Sequence, residues 1–119
     1  MHIGELAEKT GLSLRTIRHY DEIGLLPATT RSEGGFRVYT DADLARLLVI
    51  RSMKPLGFSL DEMAELLELV DALTAGSGDA ARRGLLGRYI DETEAKRDKL
   101  ALNLSRADEF LADLRRLQD

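Results

Sequence analysis

Ser13-Leu14-Arg15-Thr16-Ile17-Arg18-His19-Tyr20-Asp21-Glu22-Ile23-Gly24-Leu25-Leu26 is the stretch on which the reading of the fold turns. Gly11 breaks the segment before it, and Ser13 is suited to cap a helix, its hydroxyl accepting from a free backbone N–H. At helical spacing Leu14 and Ile17 point inward, while Arg15, Arg18 and His19 fall on another side. One face of this short helix is therefore apolar, and the other holds out cations and hydrogen-bond donors. Upstream, Ile3, Leu6, Ala7 and Thr10 make a second short amphipathic helix. Two such helices joined by a tight glycine-containing turn read as a helix-turn-helix, whose second helix is the one that enters a major groove.

Downstream, only the segment from Pro27 to Tyr39 favours strand over helix. Pro27 ends the preceding helix, Glu33-Gly34-Gly35 is a turn cluster able to supply positive φ, and Phe36 to Tyr39 prefer extended structure. A small β-hairpin beside a helix-turn-helix is a wing, with Arg31 and Arg37 on its two arms, placed to reach phosphates. Thr40 with Asp43, and Ser59 with Glu62, are capping patterns that open two further helices. The first carries Leu44, Leu47, Leu48 and Arg51 and is closed by Pro55 and Gly57; the second turns Leu60, Met63, Ala64, Leu67 and Val70 inward. Between them, the tight turn from Lys54 to Ser59 reads as a second wing that brings Lys54 towards phosphate. Thr74 to Asp79, rich in glycine and small polar residues, reads as a linker between a DNA-binding domain (residues 1–73) and a terminal helix (residues 80–119).

From about Leu85 to Leu117 the pattern is a heptad. Ile90, Arg97, Leu104 and Leu111 occupy one core position, and Leu86, Thr93, Leu100, Ala107 and Leu114 the other. At about 1.5 Å per residue such a helix reaches roughly 45–50 Å. A compact domain of this size has a radius of gyration of only about 13 Å. The apolar seam therefore needs a second chain, and a homodimer is expected. Arg97 within the seam is suited to fixing register, and Tyr89, Phe110 and Leu117 broaden the apolar stripe. The heptad alone leaves the direction of the partner helix open.

Composition narrows the function by exclusion. With no cysteine, disulfides, thiolate metal sites and thiol redox sensing are ruled out, and the two histidines lack nearby partners for a metal site. No apolar run approaches a membrane span and no signal-peptide pattern opens the sequence, which reads as cytoplasmic, without a membrane partner. Asp21-Glu22 and Asp61-Glu62 have no nucleophile, base or metal ligand beside them, and Gly34-Gly35 lacks the context of a phosphate loop. The expectation is a protein that is not an enzyme and uses no cofactor. A net charge of −4 argues at first against nucleic acid. The charge is unevenly spread, however: residues 1–57 carry eight Lys/Arg and seven Asp/Glu, residues 58–119 nine and fourteen. Counterion release is local to the contact surface, so the distribution outweighs the total.

Three blocks, Thr16 to Leu26, Gly35-Phe36-Arg37-Val38-Tyr39 and Leu56-Gly57-Phe58-Ser59-Leu60-Asp61-Glu62-Met63, closely resemble the MerR family of bacterial transcription regulators in order and spacing. With the terminal helix, the resemblance covers nearly the whole chain. It implies an all-α fold with a small β-hairpin wing: a winged helix-turn-helix followed by a long antiparallel coiled-coil dimerisation helix. It implies phosphate and groove contacts at Arg18, Tyr20, Arg37, Tyr39 and Lys54. Arg15, Thr16 and His19 match positions that the family varies, and so would read sequence. The implied target is a pseudo-palindromic promoter site in double-stranded DNA, which the dimer bends and untwists to realign promoter elements for RNA polymerase.

Ser52 to Gly57 and the long helix are most similar to the multidrug-sensing branch, whose members append a large ligand domain. This sequence stops at Asp119, just past its last heptad, and has none of the cysteines of metal- and redox-sensing members. No sensor domain is expected, and the effector is left unidentified: a small ligand at the dimer interface, a partner on the acidic second half, or no control. On the residues alone, His19 reads equally as groove contact or surface residue, Tyr20 and Tyr39 as core or phosphate donors, and Phe36 as wing packing. The alternative function is an architectural or recombination accessory DNA-binding protein, or an adaptor acting through its coiled coil.

Overall fold

Short polar side chains decide where the helices begin, and glycines decide where two of them stop. A computed structural model of the chain describes residues 1–118. In chain order these form α1 (Ile3–Thr10), α2 (Leu14–Glu22), β1 (Thr30–Arg31), β2 (Arg37–Val38), α3 (Asp41–Met53), a 3₁₀ turn (Lys54–Leu56), α4 (Leu60–Thr74) and α5 (Ala80–Gln118). The Ser13 hydroxyl accepts from the Thr16 N–H at 3.1 Å. Both capping boxes are present: Thr40 and Asp43 exchange bonds of 3.2 and 2.8 Å, Ser59 and Glu62 bonds of 3.1 and 2.9 Å. Each cap satisfies N–H groups that a helix start leaves orphaned and is worth about 1 kcal/mol. Gly11 closes α1 at φ +72°, its N–H donating to the Ala7 carbonyl, and Gly57 closes the 3₁₀ turn at φ +80°. A side chain at either position would be strained.

The chain falls into two compact units, Met1–Ala75 and a second beginning at Gly76. The first encloses a core of Leu6, Ile17, Tyr20, Leu26, Tyr39, Leu47, Ile50 and Leu67. Burying each aliphatic member contributes about 1.5–3 kcal/mol, so this core supplies most of the unit's stability. Two arginines on α3 then set how the helices meet. Arg51 donates to the Thr10 carbonyl at the end of α1 at 2.9 Å, a cation at a helix C-terminus. Arg46 donates to the Leu25 carbonyl at 3.4 Å and to the Asp71 carboxylate of α4 at 2.6 Å. In the second unit α5 is a single helix of 39 residues, roughly 58 Å long at about 1.5 Å per residue. Ile90, Leu100, Leu104, Leu111 and Leu114 of its heptad stand exposed, as an uncovered seam requires.

Three expectations about burial need correction. Leu14 does not turn inward but is 39% exposed, because it is the first helical residue of α2, beside exposed Ser13; Ile17 and Tyr20 fill the core from this helix. On α4, Leu60, Ala64 and Val70 are exposed and Leu69 is buried instead. Val70 lines an open cleft of about 520 Å³ between α3 and α4, together with Ala42, Ala45 and Val49, which keeps it in solvent. Tyr89 is buried and so does not broaden the exposed seam as Phe110 and Leu117 do. Phe36, read as wing packing, lays its ring along Gly34 at the hairpin tip while staying 69% exposed.

Tyr39 sits where the chain start closes the hairpin. Its N–H donates to the Met1 carbonyl at 2.7 Å and its carbonyl accepts from the Met1 amine at 2.5 Å, while His2 bridges Val38. The ring is 1% exposed and its hydroxyl has no hydrogen-bond partner among the described residues. Burial, first of all, pushes the phenol above its ordinary pKa. An unpaired buried hydroxyl costs on the order of 1–3 kcal/mol. Tyr39→Phe should therefore raise the unfolding free energy by about 1 kcal/mol, read as a higher urea midpoint with unchanged slope.

Candidate nucleic-acid interface

Spacing along α2 places Arg15, Arg18, His19 and Glu22 at i, i+3, i+4 and i+7, one stripe facing away from Ile17 and Tyr20. All four are exposed and line an open recess of about 690 Å³. Thr16 is half-buried, and its hydroxyl is already engaged, 2.8 Å from the Ser13 hydroxyl. His19 leans against Tyr20 with ring centroids 6.2 Å apart. The stripe thus offers two guanidinium forks, an imidazole and one carboxylate to whatever occupies the recess.

The wing is two residues wide on each arm, and its antiparallel register sets Arg31 directly opposite Arg37. Like charges facing each other across a strand pair destabilise it. The carboxylate of Asp21, from the last turn of α2, answers both. Arg37 Nε donates to Asp21 Oδ2 at 2.5 Å and Arg31 reaches the same oxygen at 3.5 Å, while Oδ1 accepts the Ala28 N–H at 3.1 Å. Asp21 and Arg37 are both largely shielded from solvent. The Arg37 hydrogen bond, above all, holds the Asp21 carboxyl below the usual aspartate range. Arg31 also donates to the Gly35 carbonyl at 2.9 Å, bracing the turn. The wing is in this way fastened to α2 by charge.

Ion pairing sorts the cations of the first 57 residues. Lys9 pairs with Glu5, Arg31 and Arg37 with Asp21, and Arg46 with Asp71, while Arg51 bonds the Thr10 carbonyl. Arg15, Arg18 and Lys54 make no ion pair or hydrogen bond through their side chains among the described residues. Lys54 stands exposed at the start of the 3₁₀ turn. The free cations are three of the five that the sequence assigns to DNA; the other two, Arg31 and Arg37, are held by Asp21. Tyr20 and Tyr39 lie in the core, so the phosphate contact expected of the Tyr39 hydroxyl is closed off in this conformation by the ring's enclosure. Sequence reasoning missed Asp21, set aside as a carboxylate without partners; the signal was two arginines destined to face each other in a hairpin. It also missed Arg46, whose partners lie 21 and 25 residues away. Among the described residues no cluster of His, Asp or Glu is arranged to hold a metal ion.

Comparison with known proteins finds a family that matches most of the chain. Residues 1–69 match the MerR HTH family regulatory protein family, and residues 44–110 the family described as MerR, DNA binding. The HTH-type transcriptional regulator CueR of Salmonella typhi is 38% identical over 105 residues, which cover 84% of this chain and 76% of that protein. Among solved structures, HiNmlR, a MerR family regulator lacking the sensor domain and bound to promoter DNA, superposes with a TM-score of 0.68 at 31% identity, over 93% of this chain and 86% of that one. The N-terminal part of the Bacillus subtilis multidrug transporter activator, MtaN, gives a TM-score of 0.59 at 31% identity, over 98% of this chain and 95% of that one.

The clamp has a pH signature. Because the Asp21 carboxyl is held low, its contribution is complete above the ordinary aspartate value near pH ~4 and is lost as pH falls through the lowered value. Asp21→Asn should lower the thermal midpoint by several degrees at neutral pH and flatten the acid limb of the stability curve. Thermal melts of both proteins between pH 2 and 7 check this, and parallel acid limbs would contradict it.

Proposed function

The chain belongs to the MerR family of helix-turn-helix regulators, and on that footing we propose that it binds a pseudo-palindromic promoter site as a homodimer and regulates transcription by distorting the duplex. DNA binding by a regulator of this family is carried here by one observation. Arg15 and Arg18, left unpaired by the fold, line an exposed recess on α2 on which a duplex can be seated, and the wing is clamped to the end of the same helix. Arg18 and Lys54, with the wing arginines, hold phosphates; Arg15, Thr16 and His19 meet base edges. The exposed apolar seam of α5 supports the homodimer, since a solvated stripe of this length is covered when two copies pair. Paired subunits presenting two helices and two wings favour a bent, untwisted site over a straight one. Such a distortion would serve RNA polymerase at a promoter whose elements are out of phase, which makes the polymerase the next partner in this reading.

Two sets of variants test it. Arg18→Ala should weaken binding to all sequences and shallow the dependence of log affinity on log salt by roughly two per dimer. Arg15→Ala or His19→Ala should relax preference at a few base pairs at a cost of about 1–3 kcal/mol each. Gel shifts over a randomised library read both, and an absence of any preferred site would remove the proposal. For the dimer, Leu104→Asp should move the sedimentation mass from twice 13.2 kDa to the single-chain value and abolish binding to the full site while leaving the first unit folded. Footprints at attachment sites instead of promoters would favour the architectural role.

A further inference from the structure

Glu22 is a residue that neither local stability nor bulk electrostatics explains. It ends α2, where the helix dipole disfavours a carboxylate. It stands four residues after Arg18, the less favourable order for an acid–base pair on a helix. Accordingly its side chain makes no ion pair or hydrogen bond among the described residues, although its charge is felt by Arg37. It is exposed, and it completes the recess lined by Arg15, Arg18 and His19. A free carboxylate facing a polyanion is repulsive unless something on that polyanion donates to it. Residues that break a local rule without local compensation are expected at functional positions.

On the floor of a major groove the only donors are exocyclic amino groups, N4 of cytosine and N6 of adenine; guanine and thymine present acceptors there. We propose that Glu22 is a specificity-determining residue whose carboxylate accepts a hydrogen bond from an exocyclic amino group, cytosine N4 first among them, in each half-site. The assignment rests on the DNA-binding reading above. The stripe then combines one forked cation, Arg15, suited to guanine O6 and N7, with one acceptor that rejects those same atoms. A keto base placed under Glu22 meets lone pairs with a carboxylate and is excluded. Discrimination at that position comes from repulsion as much as from attraction.

The test is selection from a randomised duplex library with the wild-type protein, Glu22→Gln and Glu22→Ala at one salt concentration, alongside affinity for a fixed scrambled duplex. The wild type should select an amino-bearing base at one position of each half-site by roughly tenfold over keto bases. Whether cytosine or adenine is enriched identifies the donor. Both variants should lose that preference, leave the other positions unchanged, and bind the scrambled duplex more tightly. Should the variants gain affinity for every sequence while selecting the wild-type motif unaltered, Glu22 only repels backbone and the inference fails. If the wild type selects no motif at all, the DNA-reading proposal fails, and this assignment with it.

Discussion

One carboxylate governs how the wing is joined to α2. A hairpin with two residues on each arm is too small to hold itself in water, and this one begins with a handicap, since Arg31 and Arg37 face each other across it. Asp21 turns that handicap into an attachment by lying between the two guanidinium groups from the end of the neighbouring helix. On the other edge, Met1 and His2 pair with Val38 and Tyr39. The core of Ile17, Leu26, Leu47 and Ile50 contributes far more to stability than this clamp, because several buried aliphatic side chains at about 1.5–3 kcal/mol each outweigh any single partly shielded ion pair. What the clamp sets is direction: where the wing stands relative to the stripe on α2.

The same accounting reconciles an acidic protein with a polyanionic partner. Internal pairing consumes most cations of the first unit, through Glu5, Asp21, Asp71 and the carbonyls of Leu25 and Thr10. What stays free is little in number, but two of these cations, Arg15 and Arg18, share one stripe of α2. Since each phosphate contact acts through the counterions it displaces locally, a few well-placed arginines matter more than an overall charge of −4.

Much of this was legible in the sequence wherever the cause is local. Ser13, Thr40 and Ser59 act on N–H groups three residues away, so their caps could be read directly, and the 3.6-residue period put Arg15, Arg18 and His19 on one face. The glycine cluster gave away the hairpin, with Gly35 taking the positive φ. Where the cause is distant the sequence was mute. Asp21 reaches partners 10 and 16 residues along, and Arg46 partners farther still. The closing of Tyr39 depends on the first residues of the chain coming back to the wing. Leu14, Val70 and Leu69 show a finer limit: periodicity names a face, but the neighbours decide which of its members are covered.

The bare apolar edge of α5 carries a consequence for how strongly the regulator responds to its own abundance. Ile90, Leu104 and Leu111 lie open along a single chain, so pairing and stability are tied together by mass action. Below the pairing threshold, the amount of competent dimer rises as the square of the number of chains. Doubling synthesis then quadruples promoter occupancy, and growth that dilutes the protein shuts it off just as steeply. A cell could thus set the switch by dosage alone.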